Sequence, residues 1–86
     1  MNLQVGVTVE WSSQAGGWTR AKAGSIHAIV PPDQDAFKFI PEGVARSRIK
    51  FDTRYANEPR YIVAVVRGNA HDFYCPRTSQ LRLILK

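Results

Sequence analysis

The sequence predicts a mainly β fold of about five short strands, and three observations support this prediction. Apolar residues alternate with polar or small ones from Val5 to Ser12, which is the period of a strand with one buried face. Tyr61–Val66 is a run of six apolar residues rich in β-branched types. Glycines and prolines stand between such stretches, where the chain has to turn. Together they predict short strands joined by hairpins.

The first hairpin is predicted from residues 5–30. Its first strand covers 5–12, and the small residues 13–17 include two adjacent glycines that allow positive φ and a reversal of direction. Trp18–Val30 is the predicted second strand, bent or bulged near Gly24. Two prolines end it, because proline cannot donate an amide hydrogen to a ladder.

The second hairpin is predicted near the C-terminal end. Arg60–Arg67 is apolar on both faces over most of its length and is therefore expected to be the most central strand. Residues 68–70 turn the chain, and residues 71–75 form the return arm. Residues 77–80 then fit a single helical turn, and residues 81–85 a short last strand.

The middle segment, residues 33–59, contains too many apolar side chains for a free linker, among them Phe37, Phe39 and Phe51. Three structures remain open for it. One is an extra hairpin of 38–40 with 48–51, another is an ordered arm over the barrel, and the third is a short helix through 41–47. In each of them part of the segment has to pack.

Sequential hairpins, a glycine bend and a one-turn helix before the last strand predict an SH3-like small barrel with an inserted arm at 33–59. Strong curvature lets few residues enclose a core. At 86 residues and 44% apolar content, we expect a single domain over 1–86. An open sheet capped by the middle segment is the alternative.

No apolar run approaches the roughly 20 residues of a membrane span, and the first residues lack a signal-peptide pattern. A lone cysteine, Cys75, fits a reducing compartment. We therefore expect a cytoplasmic protein with no membrane partner.

Conventional catalytic groups are few, and each has an ordinary explanation. His71 and Cys75 on one strand would lie too far apart to share an ion, and zinc sites need three or four ligands. Asp33 and Asp35 follow two prolines, as turn residues do, and His27 fits a solvent-facing strand position. Nucleotide-binding and hydrolase motifs are absent from the sequence. We expect no enzyme activity, no metal and no cofactor.

Charge is distributed unevenly along the chain. The formal net charge is +5, made up of −1 over residues 1–45 and +6 over residues 46–86. A basic half favours a polyanionic partner. Basic residues of this half alternate with apolar ones and aromatics, and on a strand the even-numbered cations would share one face at about 6–7 Å spacing. That spacing matches successive phosphates, and exposed aromatics could stack on bases.

The predicted nucleic-acid-binding residues are Trp18, Arg46, Arg48, Lys50, Arg54, Tyr55, Arg60, Arg67, Tyr74 and Arg77. Arg82 would extend this patch if the last two hairpins share an edge. The alternative is a solvated charged face on a small basic domain, with the aromatics filling the core.

Lys22–Ile29 resembles the KOW segment of SH3-like nucleic-acid-binding domains, where a basic residue and a glycine precede alternating apolar positions. The resemblance implies a barrel that binds DNA or RNA. The wider layout, from Glu10-Trp11 through Arg60–Val65 to Phe73–Arg82, is similar to small uncharacterised bacteriophage and mobile-element proteins. That likeness implies a phage-encoded β module without an established activity.

Two functions follow as hypotheses. The first is a non-catalytic nucleic-acid-binding small barrel that uses its basic C-terminal half. The second is a protein-interaction module or phage accessory factor, which binds a host protein or assembles with itself through a strand edge. The second is motivated by the apolar residues between Phe37 and Phe51.

Overall fold

The computed structural model describes residues 3–15 and 17–84, without the side chains of 13–15 and 18. Five strands form one antiparallel sheet in the order β4-β3-β2-β1-β5. They are β1 (Thr8–Ala15), β2 (Trp18–Val30), β3 (Arg60–Arg67), β4 (Ala70–Tyr74) and β5 (Arg82–Leu83). The described residues also form three 3-10 turns, η1 (Ala36–Phe39), η2 (Arg46–Arg48) and η3 (Thr78–Gln80). None of these helical segments has the length and apolar character that crossing a bilayer requires.

The predicted fold class is confirmed: the chain is mainly β, with sequential hairpins and a 3-10 turn before a short last strand. The fifth strand pairs with the first. The described structure measures 29 × 28 × 27 Å, so its three dimensions are nearly equal.

The first strand begins later and ends later than predicted. Gly6 has a φ of +95° and turns the chain, so β1 starts at Thr8. Val9 and Trp11 are buried as the alternation predicts, whereas Val5 is 61% exposed. β1 then continues to Ala15, which shortens the predicted turn at 13–17.

The long strand β2 occupies the centre of the sheet, so the prediction that β3 is most central is wrong. β2 pairs with β1 through its first half and with β3 through its second half. At the crossover, a Cβ on Gly24 would overlap the carbonyl oxygen of Ala64. The register shift lies slightly further on, between Ile26 and Ala28, so His27 is the bulged residue.

The segment 33–59 is an ordered arm packed on the sheet, so the extra hairpin and the 41–47 helix are both wrong. Short 3-10 turns replace them, and Ile49 forms an isolated parallel bridge with Phe73. The backbone N–H of Lys50 donates to the Phe73 carbonyl at 2.8 Å. The arm is therefore attached to the free edge of β4.

The sheet carries a core on each of its faces. Ile62 belongs to one cluster and Val63 to the other, as expected because consecutive strand residues point to opposite faces. The inner cluster consists of Val9, Trp11, Ile26, Val63 and Leu81. The outer cluster consists of Val30, Ala36, Ile62 and Phe73, and the arm residues Phe39, Ile40, Val44 and Phe51 pack against it. The arm thus fills the role of a second layer.

The C-terminal part follows the prediction with shorter elements. η3 occupies 78–80, and β5 contains two residues where 81–85 was expected. Leu81 is buried at their junction and belongs to the inner core. Residue 85 of the predicted strand lies outside the described residues.

Candidate functional site

The cations of the arm gather on one side of the molecule, although the strand predicted to align them does not form. Residues 46–48 make the 3-10 turn η2, and residues 50–59 contain no strand. Arg48 and Lys50 from the arm, together with Arg67 from β3, line a cleft of about 280 Å³ around Asp72. This cleft is called the basic cleft below.

Asp72 organises the basic cleft from within. It lies on β4 with only 2% of its surface exposed. Its Oδ1 accepts a hydrogen bond from Arg48 Nη1 at 3.3 Å, and its Oδ2 lies 3.8 Å from Arg67 Nε. One carboxylate thus pairs with two guanidinium groups, so these three side chains together carry a net charge of +1. The Arg48 and Arg67 side chains are 39% and 69% exposed, so both can still bind an anion.

A second cleft of about 320 Å³ adjoins the first and shares Lys50 with it. Arg46 lines this second cleft, and Asp52 is the carboxylate on the same wall. Arg46 and Lys50 are exposed and form no ion pair within the described part of the chain. These two cations are therefore the least compensated groups of the site.

Arg54 extends the cationic surface along the arm. Its Nε donates to Asp35 Oδ1 at 3.1 Å, and a second hydrogen bond joins Nη2 to Oδ2. This bidentate pairing lowers the pKa of the buried Asp35 carboxyl and raises the pKa of Arg54. The guanidinium carbons of Arg54 and Arg46 lie 5.1 and 4.8 Å from the centre of the Phe37 ring. We call Arg46, Arg48, Lys50, Arg54 and Arg67 the basic ridge.

Arg60 has to be removed from the predicted binding set because it is only 8% exposed. Its guanidinium donates to the carbonyls of Thr53 and Arg54 at 2.7 Å each and of Gln34 at 3.3 Å. These acceptors belong to the two ends of the arm. Arg60 therefore holds the arm together and has no free face for a ligand.

Other predicted residues lie apart from the ridge. Tyr74 is half-buried against Trp11, with ring centres 5.6 Å apart, on the sheet face opposite the arm. Arg77 is exposed just before η3, and Arg82 pairs with Glu10 at the β5 edge. Tyr55, by contrast, follows Arg54 on the arm and is 60% exposed. The Trp18 side chain lies outside the described residues.

An apolar groove, which sequence reasoning missed, runs between the arm and the β4 end of the sheet. It consists of two adjoining concavities of about 400 and 440 Å³. His27, Pro41, Val44, His71 and Phe73 are among its walls, and Arg48 stands at one end. Arg48 also lines the basic cleft, so the groove and the cleft meet at this side chain.

The β2 bulge explains why His27 belongs to this groove. A bulge re-aims the side chain of the extra residue. The His27 ring meets the Phe73 ring edge-on, with centres 5.3 Å apart. The sequence predicts a bend or bulge near Gly24. No local signal places the bulge at His27 instead.

Of the groups considered for catalysis, His27 and His71 line the same groove, and Cys75 is not among its walls. Burial raises the pKa of the Cys75 thiol, which disfavours the reactive thiolate. Across residues 3–15 and 17–84, no three His, Cys, Asp or Glu side chains gather closely enough to hold a metal ion. The arrangement described above can bind anions and flat apolar groups.

Comparisons with known proteins found no matching family model, no matching curated protein and no matching solved structure. The KOW-like and phage-protein resemblances therefore stay predictions.

Proposed function

We propose that this protein is a non-catalytic nucleic-acid-binding small barrel whose basic ridge contacts phosphates. The observation that supports this best is the pair of adjoining clefts lined by Arg46, Arg48, Lys50 and Arg67. Successive cations at one surface fit a ligand with regularly repeated negative charges, which is the property of a nucleic-acid backbone.

The ridge is held in place before any ligand arrives. Asp72 orients Arg48 and Arg67, and Asp35 orients Arg54. The Lys50 backbone is fixed by its hydrogen bond to Phe73. Side chains that are already ordered lose less entropy on binding, so more of the electrostatic attraction contributes to affinity.

Tyr55 adds a stacking partner at one end of the ridge. It is the most exposed aromatic side chain among the described residues, and Arg54 precedes it directly. A base stacked on an exposed ring while its phosphate meets a neighbouring cation is the usual arrangement in proteins that bind nucleic acid without reading its sequence.

The proposal is tested by neutralising the two least compensated cations. The double variant Arg46→Gln with Lys50→Gln should weaken binding to labelled DNA and RNA oligonucleotides about tenfold at low salt. The slope of log K against log salt should become less steep by about 1.4–1.8, since each phosphate contact contributes about 0.7–0.9. Fluorescence anisotropy over a salt series measures both quantities.

The matched control is Arg20→Gln with Arg82→Gln, which removes the same charge from other elements. Arg82 lies on β5, at the opposite edge of the sheet from β4. If both double variants lose the same affinity, the attraction belongs to net charge and the ridge has no special role. If the unchanged protein binds no oligonucleotide at low salt, the proposal is wrong.

Self-assembly through a strand edge is the second candidate function, and one observation favours it. β5 pairs only with Val9 and Glu10, so β1 from Trp11 to Ala15 has a strand on one side alone within the described residues. Such an edge can pair with another strand. The apolar residues of the arm do not support this candidate, because they pack on their own sheet.

A further inference from the structure

We propose that the apolar groove is a subsite for one unpaired nucleobase, so that the ligand of the basic ridge is single-stranded nucleic acid. This inference rests on the proposed function and names the ligand class of the same surface.

The groove has the size and walls that a planar ring needs. Its two concavities of about 400 and 440 Å³ lie in the range of small-ligand sites, about 300–1,000 Å³. The exposed His27 and His71 line it together with the buried Phe73. Base stacking on such rings is favourable for any base, since every base has a π-face.

The edge of β4 supplies backbone groups for the polar rim of a base. The Phe73 carbonyl accepts the Lys50 N–H, so the backbone groups of Phe73 face the outer edge of β4. Backbone orientation repeats every second residue in a strand, so the N–H and C=O of His71 face the same edge. A base can use such a donor and acceptor, whereas an aliphatic side chain cannot.

Charge complementarity favours a nucleotide over an apolar peptide side chain as the occupant of the groove. Arg48 lines both the groove and the basic cleft, and Arg67 lies across Asp72 from it. A base in the groove would therefore have its own phosphate beside the Arg48 guanidinium. An apolar peptide would fill the groove and leave the cations without an anion.

A base within a duplex cannot occupy the groove. Its faces are covered by stacked neighbours and its polar edge is paired, so it enters a protein cavity only after leaving the helix. A strand whose bases are free avoids this cost. The groove thus predicts preference for single strands, while the ridge alone would bind both forms.

The test fills the groove and leaves the ridge intact. Ala45 is exposed and lines the groove, and its hydrogen bond to Arg48 N–H uses the backbone carbonyl. The variant Ala45→Trp should therefore reduce affinity for a single strand of about 12 nucleotides about tenfold, with affinity for the matching duplex unchanged. Anisotropy at low salt measures both affinities, and thermal unfolding confirms that the variant folds.

Ala21→Trp is the matched control, because Ala21 is an exposed alanine on β2 that does not line the groove. His71→Ala provides a second variant, which removes a ring from the groove instead of adding one, and should show the same selective loss. Equal binding of single strand and duplex by the unchanged protein, with no effect of either groove variant, overturns the inference and leaves the proposed function standing. Absence of all binding overturns both.

Discussion

Arg60 and Asp72 are charged residues inside the fold, and both act on other parts of the site rather than on a ligand. Arg60 donates hydrogen bonds to three backbone carbonyls of the arm, and Asp72 positions two arginines of the ridge. A buried charged group is costly unless it is paired and hydrogen-bonded. Asp72 pairs with Arg48 and Arg67, whereas Arg60 has three carbonyl acceptors, no carboxylate partner among the described residues and an Nε without a hydrogen-bond partner. The binding surface therefore depends on residues that do not reach it.

Replacing Arg60 by methionine should lower the free energy of unfolding by about 3 kcal/mol, because the carbonyls of Thr53, Arg54 and Gln34 lose their donor. Urea unfolding followed by circular dichroism measures this change. Arg77→Met, at an exposed position, is the control and should cost less than about 0.5 kcal/mol. A stable Arg60→Met protein with weakened oligonucleotide binding would instead restore Arg60 to the binding set.

At the scale of elements, the 3-10 turn η2 decides how the arm presents its cations. On a strand, residues two apart share a face, which was the basis for aligning Arg46, Arg48 and Lys50. A 3-10 turn has three residues per turn, so residues two apart diverge. Arg46 and Arg48 consequently line different clefts, with Lys50 common to both. The result is a broad surface in place of a single row.

The crossover in β2 leaves no room for a Cβ at Gly24, and this leads to a prediction at the scale of elements. Gly24→Ala should destabilise the protein by about 1–3 kcal/mol, because the new Cβ meets the Ala64 carbonyl, which belongs to the backbone of β3 and cannot rotate away. Ser25→Ala, at the exposed neighbouring position, should change stability by less than about 0.5 kcal/mol. Chemical unfolding of the two variants distinguishes them, and equal stabilities would contradict the close approach.

At the scale of the whole molecule, the two edges of the sheet differ. The β4 edge is partly covered by the arm and carries the ridge and the groove, whereas the β1 edge beyond Glu10 is open within the described residues. A ligand surface and an assembly edge would therefore lie on different sides. The two candidate functions do not exclude each other on geometric grounds.

The open edge predicts how oligomeric state responds to a single change. The Thr8 carbonyl accepts a hydrogen bond from the Ile84 N–H, so the backbone groups of Thr8 face the outer edge of β1. Backbone orientation repeats every second residue in a strand, so the backbone groups of Ser12 face the same edge. If the edge assembles, Ser12→Pro should convert an oligomer to a monomer without disturbing the β1–β2 ladder. Size-exclusion chromatography with light scattering reads the result. A monomeric unchanged protein at high concentration removes this candidate function.

Much of the fold was predictable because local signals and tertiary structure agree. The alternation at Val9 and Trp11, the bounds of β3 and the turn before the last strand are set by residue type and by breakers nearby. The alternation does not show where a strand stops. Gly6 turns the chain with a positive φ, so β1 begins at Thr8 rather than at Val5.

The candidate site was predictable only in part. Sequence placed Arg46, Arg48 and Lys50 in one basic stretch, since neighbours in sequence stay neighbours in space. It placed Arg60 in the same group, because charge alone does not distinguish a guanidinium in solvent from one buried against carbonyls. The groove was missed altogether, since its walls come from β2, β4 and the arm.

The sequence by itself determined a mainly β chain with hairpins, a basic C-terminal half and an apolar middle segment that had to pack. Only the tertiary structure decided that β2 is central, that the arm covers the outer face, and that a bulge brings His27 beside Phe73. The physical reason is that periodicity and charge are properties of neighbouring residues. Pairing, burial and shared clefts depend on contacts between residues that are distant in the chain.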